Sequence, residues 1–288
     1  FWADAALTSL SYASILVDDD FDSNTAGWQM THFDSIQDGV DAATAGGTVE
    51  VAEGTYDENV VIAKELSLTG ANAGVTFDSR GAESTIAPAS GLPLSITADG
   101  VTVDGFELNA PGHTNAIVCG DTSDLTLQFN LIHDIGSTRT GGNVHAVLYT
   151  VANDPAATSN VAITDNKFTS ISSSSLQGAS ASAIGILQST STGILTGLTI
   201  ARNEIDGVNV NTGDWPIGKI AYGIIINVGA SGSADGKVVT TLIEDNTITN
   251  VSGFIATGIG LEGNTDGATV TGNVVSHLSG RKSANQAG

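Results

Sequence analysis

Positive charge is what this chain has least of. Nine Lys and Arg stand against 31 Asp and Glu in 288 residues, a formal net charge of −22. A surplus of that size repels nucleic acid, anionic membrane surfaces and acidic polymers unless a cation intervenes, so neither nucleic-acid binding nor membrane insertion is expected. Cysteine occurs once, as Cys119, which excludes an internal disulfide and leaves the compartment undiagnosed; the residue reads as part of the core. No stretch approaches the ~18 consecutive apolar residues of a membrane helix. The opening FWADAALTSL lacks the basic region of a secretory signal, and Phe1 in place of an initiator methionine implies a processed form or a fragment. Zinc-type Cys/His spacing is missing, and so is the glycine-aspartate nonapeptide repeat that binds calcium. Aromatics are 5% and methionine is single, whereas Gly reaches 35 residues with abundant Ser, Thr and Asn. That balance suits an all-β chain with many tight turns.

What the sequence does contain is one phrase written six times. LTIARNEIDGV from Leu198 is echoed by VTVDGFELNAP from Val101, LTLQFNLIHDI from Leu125, VAITDNKFTSI from Val161, TLIEDNTITNV from Thr241 and ATVTGNVVSHL from Ala268. Apolar and polar residues alternate, as in a strand with one buried face. A turn-like pair follows, then Asn at 130, 166, 203, 246 and 273, with Phe106 in that place in the first copy. A constant motif at unequal spacing marks one stacked unit whose loops vary in length. A second strand precedes five of the copies: NAIVCG from Asn115, HAVLYT from His145, SAIGIL from Ser182, AYGIIIN from Ala221 and ATGIGLEG from Ala256. One coil is therefore a first strand, a variable loop, the LTI-type strand, the Asn turn, a short third strand and another loop.

Before the repeats, residues 1–33 form an entry segment in which SYASILV is a candidate edge strand. FDSIQDGVDAATAGG then reads as an amphipathic helix over about 34–45. Asp34 is the expected cap with Gln37 as its capping-box partner, Ile36, Val40 and Ala43 form one face, and Gly46 ends it. Such a helix would cover the open edge of the first coil, with coils following from about 47 to 278.

The run SIQDGVDAATAGGTVEVAEGTYDENVVIAKELSLTGAN, Ser35 to Asn72, resembles the N-terminal entry of parallel β-helix proteins of the pectin-lyase-like superfamily, and the Asn-bearing copies resemble that superfamily's repeats. The resemblance covers roughly residues 33 to 278. It implies a right-handed, single-stranded parallel β-helix of three sheets with a short N-terminal capping helix. It also implies a structural ladder of Asn130, Asn166, Asn203, Asn246 and Asn273 inside one turn, where each buried amide satisfies its neighbours. The superfamily includes lyases, hydrolases, epimerases and non-catalytic surface proteins, so the fold leaves the function open.

In the resembled enzymes catalytic groups lie on the outer face of the first sheet and in its bordering loops. Alternation points Ile117, Cys119, Val147, Tyr149, Ile184, Ile186, Ile224, Ile226, Ile259 and Leu261 inward. The outward set is Val118, Gly120, Leu148, Thr150, Gly185, Leu187, Ile225, Asn227, Gly260 and Glu262: one carboxylate, no base, and an apolar stripe of Val118, Leu148, Leu187 and Ile225. Catalytic candidates are His145, oriented by Asp134 or Asp154, together with Arg139, Asp214 and Lys219; Trp215 is placed to stack on a sugar. NTDG at 264–267 reads as a turn. No cofactor is required. Calcium is the metal that Asp18, Asp19 and Asp20 would take.

The expectation is a non-catalytic extracellular or cell-surface module with a structural, adhesive or glycan-contacting role, partnered by glycan or by neighbouring copies or modules. The alternatives are a carbohydrate-active enzyme (lyase, hydrolase or epimerase) with its site in the loops of the first sheet, and a self-assembling subunit of a surface layer or filament.

Overall fold

The computed structural model describes residues 12–137, 142–151, 158–173, 179–188, 192–210, 220–229 and 236–280. Within them the strands fall into three parallel sheets that the chain visits in turn. One coil shows the pattern: Ile117–Gly120 in the first sheet, Leu125–Gln128 in the second, Leu131–His133 in the third, then back to the first with Val144–Val151. Each strand pairs with its counterpart one coil away, so this is a parallel β-helix, and the order read from the repeats is the order observed.

Alternation explains why the repeats coil. In the second sheet Leu68, Val103, Leu127, Ile163, Ile200 and Ile243 stand in register and are buried. Each contributes about 1.5–3 kcal/mol by leaving water. The corner that follows is equally regular. The residue before each Asn position, namely Gly105, Phe129, Asp165, Arg202, Asp245 and Gly272, has positive φ between 50° and 80°. Four of the six are not glycine and carry a left-handed cost of ~1–2 kcal/mol each, which the stacked turn must offset.

The offset is the ladder. Asn130, Asn166, Asn203 and Asn246 are buried. The backbone N–H and Nδ2 of each donate to Oδ1 of the next Asn at 2.9–3.1 Å, ending on Asn273. The series starts with Phe106, whose backbone N–H donates to Asn130 Oδ1 at 3.1 Å; this copy keeps the backbone bond and fills the rung with a ring.

The helix spans Ile36–Ala42, and its cap is Ser35, whose hydroxyl accepts from the Asp38 N–H, rather than Asp34. Gln37 serves differently from the capping-box role expected of it. Its Oε1 accepts from the Val61 N–H at 2.7 Å and its Nε2 donates to Val61 O, so it supplies the missing neighbour of the edge strand Val60–Ile62. Glu58 completes the cap by accepting from the backbone N–H of Ile36 and Gln37 at 2.8 and 2.9 Å. Lys64 Nζ donates to the carbonyls of Asp41 and Ala43. The segment Tyr12–Val17 is not an outermost strand: it lies in the second sheet between His32–Phe33 and Ala43–Val51. In the last coil Leu261, Val270, Val275 and Leu278 continue inward-facing columns yet are 38–47% exposed. Among the described residues no helix is long and apolar enough to cross a membrane.

Candidate functional sites on the outer faces

Register fixes what the outer face of the first sheet carries. One row runs Ser95, Val118, Leu148, Gly185, Ile225, Gly260, and the next runs Gly120, Thr150, Leu187, Asn227, Glu262. The expected apolar stripe is therefore broken: Leu187 belongs to the second row and Gly185 separates Leu148 from Ile225. The stripe is not open either. Ile225 is only 3% exposed and is covered within the chain itself, while Val118, Leu148 and Leu187 are half-buried. The inward set is buried as read, except for Leu261 and, in part, Ile259 of the last coil.

His145 lies inside the strand Val144–Val151 and is 6% exposed. In register with it is Ser182, and His145 Nδ1 meets Ser182 Oγ at 2.8 Å. A Cβ on Gly185 would stand 3.1 Å from the same nitrogen, so that glycine makes room for the ring. Burial pushes the imidazole down to about 4, leaving it neutral near pH 7. Asp134 does not orient it, because that carboxylate bonds His133 instead at 2.8 Å. Farther along the same face the Tyr222 hydroxyl donates to Glu262 Oε1 at 2.8 Å, and Asn227 Nδ2 to Glu262 Oε2 at 3.0 Å. Burial, with Glu262 beside it, pushes the phenol well above its ordinary range. Arg139, Asp154, Asp214, Trp215 and Lys219 lie outside the described residues.

A cluster of ionisable groups stands elsewhere among the described residues, on the outer face of the third sheet. His133 Nε2 meets Glu107 Oε1 at 2.7 Å while its Nδ1 meets Asp134 Oδ2, and Thr85 Oγ1 donates to Glu107 Oε2. Hydrogen bonding to His133 holds the Glu107 carboxyl below the usual range, and the bond to Glu107 raises His133. Both nitrogens are spent on carboxylates, so the ring holds the face together as an imidazolium and is not poised as a base. Nearby Arg80, with Phe77 5.1 Å below its guanidinium, pairs with Glu83 and donates to the Phe129 carbonyl. Sequence reading missed this cluster and Ser182, although the signal was present. Aligning Phe106 with Asn130 puts Glu107 at the first following position and His133 at the third, on one face. Aligning HAVLYT with SAIGIL sets Ser182 opposite His145.

At the acidic turn, Asp18 Oδ1 accepts from the Asp20 N–H and Asp19 Oδ2 from the Thr55 N–H. Among the described residues no group of three or more His, Cys, Asp or Glu is placed to hold a metal ion, so the calcium expectation for Asp18, Asp19 and Asp20 gains no support. Cys119 is buried and free, and burial pushes its thiol up to about 12, which fits a core residue. In the 264–267 stretch Thr265 and Asp266 form a short strand against Val238 and Val239, and the turn is at Gly267 (φ 68°).

Open grooves among the described residues include two of similar size. One, of about 520 Å³, borders the first sheet at Leu92, His113, Asn115 and Val118. The other, of about 540 Å³, lies on the second sheet over Leu16, Thr48, Glu50 and Thr69, with Phe21 at its side.

No protein-family model matches the chain, and no curated protein matches it. Solved structures similar to it include a pectin methylesterase from Erwinia chrysanthemi, at 11% identity and TM-score 0.43, covering 83% of this chain and 80% of that one. The pectin methylesterase from Aspergillus niger gives 13% and 0.39 over 96% and 93%, and an alginate lyase from Paenibacillus sp. gives 13% and 0.32 over 85% and 96%.

Proposed function

We propose that the chain is a non-catalytic β-helix module, extracellular or at a cell surface, with a structural, adhesive or glycan-contacting role. One observation carries the reading. Among the described residues, the ionisable side chains on the outer face of the first sheet are already bonded within the protein: His145 to Ser182, Glu262 to Tyr222 and Asn227. A general base must reach the proton it takes and hold a pKa near working pH. His145 is buried with its pKa at about 4, and Ser182 beside it is fully buried.

The enzyme reading would draw on that same pair, a hydroxyl 2.8 Å from an imidazole nitrogen. Among the described residues no carboxylate is bonded to the ring, whose partner there is Ser182. The test is incubation of the purified chain with methylated and free polyuronates and with neutral polysaccharides, following methanol, reducing ends and unsaturated uronate. No release above buffer is expected. Turnover that disappears in His145→Gln or Asp214→Asn would overturn the reading.

A further inference from the structure

The groove on the second sheet has a one-sided hydrogen-bonding inventory. Its floor is Leu16, Glu50 and Thr69, neighbours in one row across three strands, with Thr48 beside Glu50. Its walls are Phe21 and the turn from Gly70 to Ala73. The wall donors are already used. Ala52 N–H donates to Val17 O, Gly70 N–H to Asp104 O, Ala71 N–H to Ser84 Oγ and Ala73 N–H to Gly70 O. The Thr69 hydroxyl donates to Val49 O at 3.2 Å. What faces an incoming ligand is mostly acceptor: the exposed Glu50 carboxylate and the lone pairs of Thr69, with the Thr48 hydroxyl able to accept or donate. Among the described residues that line the groove there is no Lys or Arg. Beside this acceptor floor stands an apolar side, Leu16 and the Phe21 ring, which is held by the His32 ring at 5.0 Å and 55°.

We propose that this groove binds a glucosamine-type oligosaccharide, a glycan whose rings carry ammonium groups. An acceptor-rich groove selects a ligand that brings donors, and an ammonium supplies three of them plus a charge opposite to Glu50. The apolar face of a pyranose fits against an aromatic ring and a leucine, and a cation beside that ring is attracted to it. A net charge of −22 draws cationic ligands toward the surface. A uronate would set carboxylate against carboxylate with no cation between them. The assignment deepens the glycan-contacting reading and rests on it.

The test is calorimetric titration of the full chain with fully deacetylated chitosan tetrasaccharide, at a pH where its amines are charged. N-acetylated tetrasaccharide, tetragalacturonate and tetralysine are titrated in parallel. The deacetylated sugar is expected to bind in a salt-sensitive way, with the other three at least roughly fivefold weaker, the size of one exposed charge pair. Glu50→Gln should weaken it by a similar factor and Phe21→Leu should weaken it independently, both at unchanged melting temperature. Absence of binding, equal binding of tetralysine, or affinity unaltered in both variants overturns the proposal. Cleavage of the bound sugar would support the groove while overturning the non-catalytic reading; absence of both binding and cleavage overturns the groove alone.

Discussion

Replacing Asn203 by Ala takes one rung out of the middle of the ladder, and the structure says what that costs. Asn203 Oδ1 accepts from the Asn166 N–H at 3.0 Å and from Asn166 Nδ2 at 3.1 Å; its own Nδ2 donates to Ile163 O at 2.8 Å and to Asn246 Oδ1 at 2.9 Å. In the variant Asn166 Nδ2 keeps Leu127 O and Thr164 O, but the Asn166 N–H is left with no partner in a turn that water does not reach. An orphaned buried group costs about 1–3 kcal/mol. Adding the lost bonds at Ile163 O and Asn246 Oδ1 and the small void brings the expected destabilisation to about 3–5 kcal/mol. Asn273→Ala provides the control. That rung makes the same kinds of bond but is half-exposed, so water can replace the amide and a loss of about 1 kcal/mol is expected. Asn203→Asp should be no better than Ala near neutral pH, because it turns an acceptor toward Ile163 O and Asn246 Oδ1. Urea midpoints, with amide exchange at Asn166 to localise the damage, measure all three. A loss below about 1 kcal/mol for Asn203→Ala, or one equal to that of Asn273→Ala, would refute the claim that the ladder holds the corner.

Burial keeps His145 at about 4 against ~6.5 in the unfolded chain, so the unfolded chain takes up the proton first. The stability tied to the neutral ring is whole above ~6.5 and is lost as pH falls through about 4, about 3 kcal/mol in all; His145→Gln should flatten that limb of the urea midpoint against pH. His133, raised by Glu107, has the opposite sign: its contribution is whole below ~6.5 and is lost as pH rises through the folded value, a loss that His133→Gln should abolish. Glu58→Ala uncaps the helix and should cost about 1–2 kcal/mol, with faster amide exchange at Ile36 and Gln37. Gly105→Ala and Gly207→Ala both place a side chain at positive φ, but the first drives Cβ into the Ala73 backbone whereas the second meets nothing closer than Ser170 N at 3.5 Å. The first should fail to accumulate as folded protein and the second should lose only about 1–2 kcal/mol by thermal melting.

The coil order, the inward columns and the ladder were legible because they repeat. Period-two alternation assigns a face without reference to neighbours, and an Asn returning after 36, 37, 43 and 27 residues marks one corner whatever the loop length. The helix was legible as a helix but not in its caps. Glu58, more than 20 residues downstream, supplies the anion, and Gln37 turns to Val61 because an edge strand with an unpaired N–H is a stronger claimant than its own helix terminus. Side chains paired across coils needed the register applied to particular residues. His145 with Ser182 lies 37 positions apart and Glu107 with His133 lies 26 apart. The burial of Ile225 was not legible at all, since alternation says which way a residue points and nothing about what covers it.

The shortage of cations acquires a mechanism once the bonds are traced. Of the five described Lys and Arg, four are engaged by the protein itself: Lys64 by helix carbonyls, Arg80 by Glu83 and carbonyls, Lys167 by Glu204, Arg202 by Asp165. All four bridge neighbouring elements or coils, where they stitch the solenoid. The acidic side chains outnumber these cations, and although many are bonded within the protein, Glu50 is left exposed on the groove floor with hydroxyls and carbonyls for company. Negative charge is thus left to the surface while positive charge is consumed in the scaffold. A ligand for such a surface has to bring its own donors. The proposed glycan would therefore find unspent acceptors, among the described residues, in the groove over Glu50, whereas the face around His145 is bonded to itself.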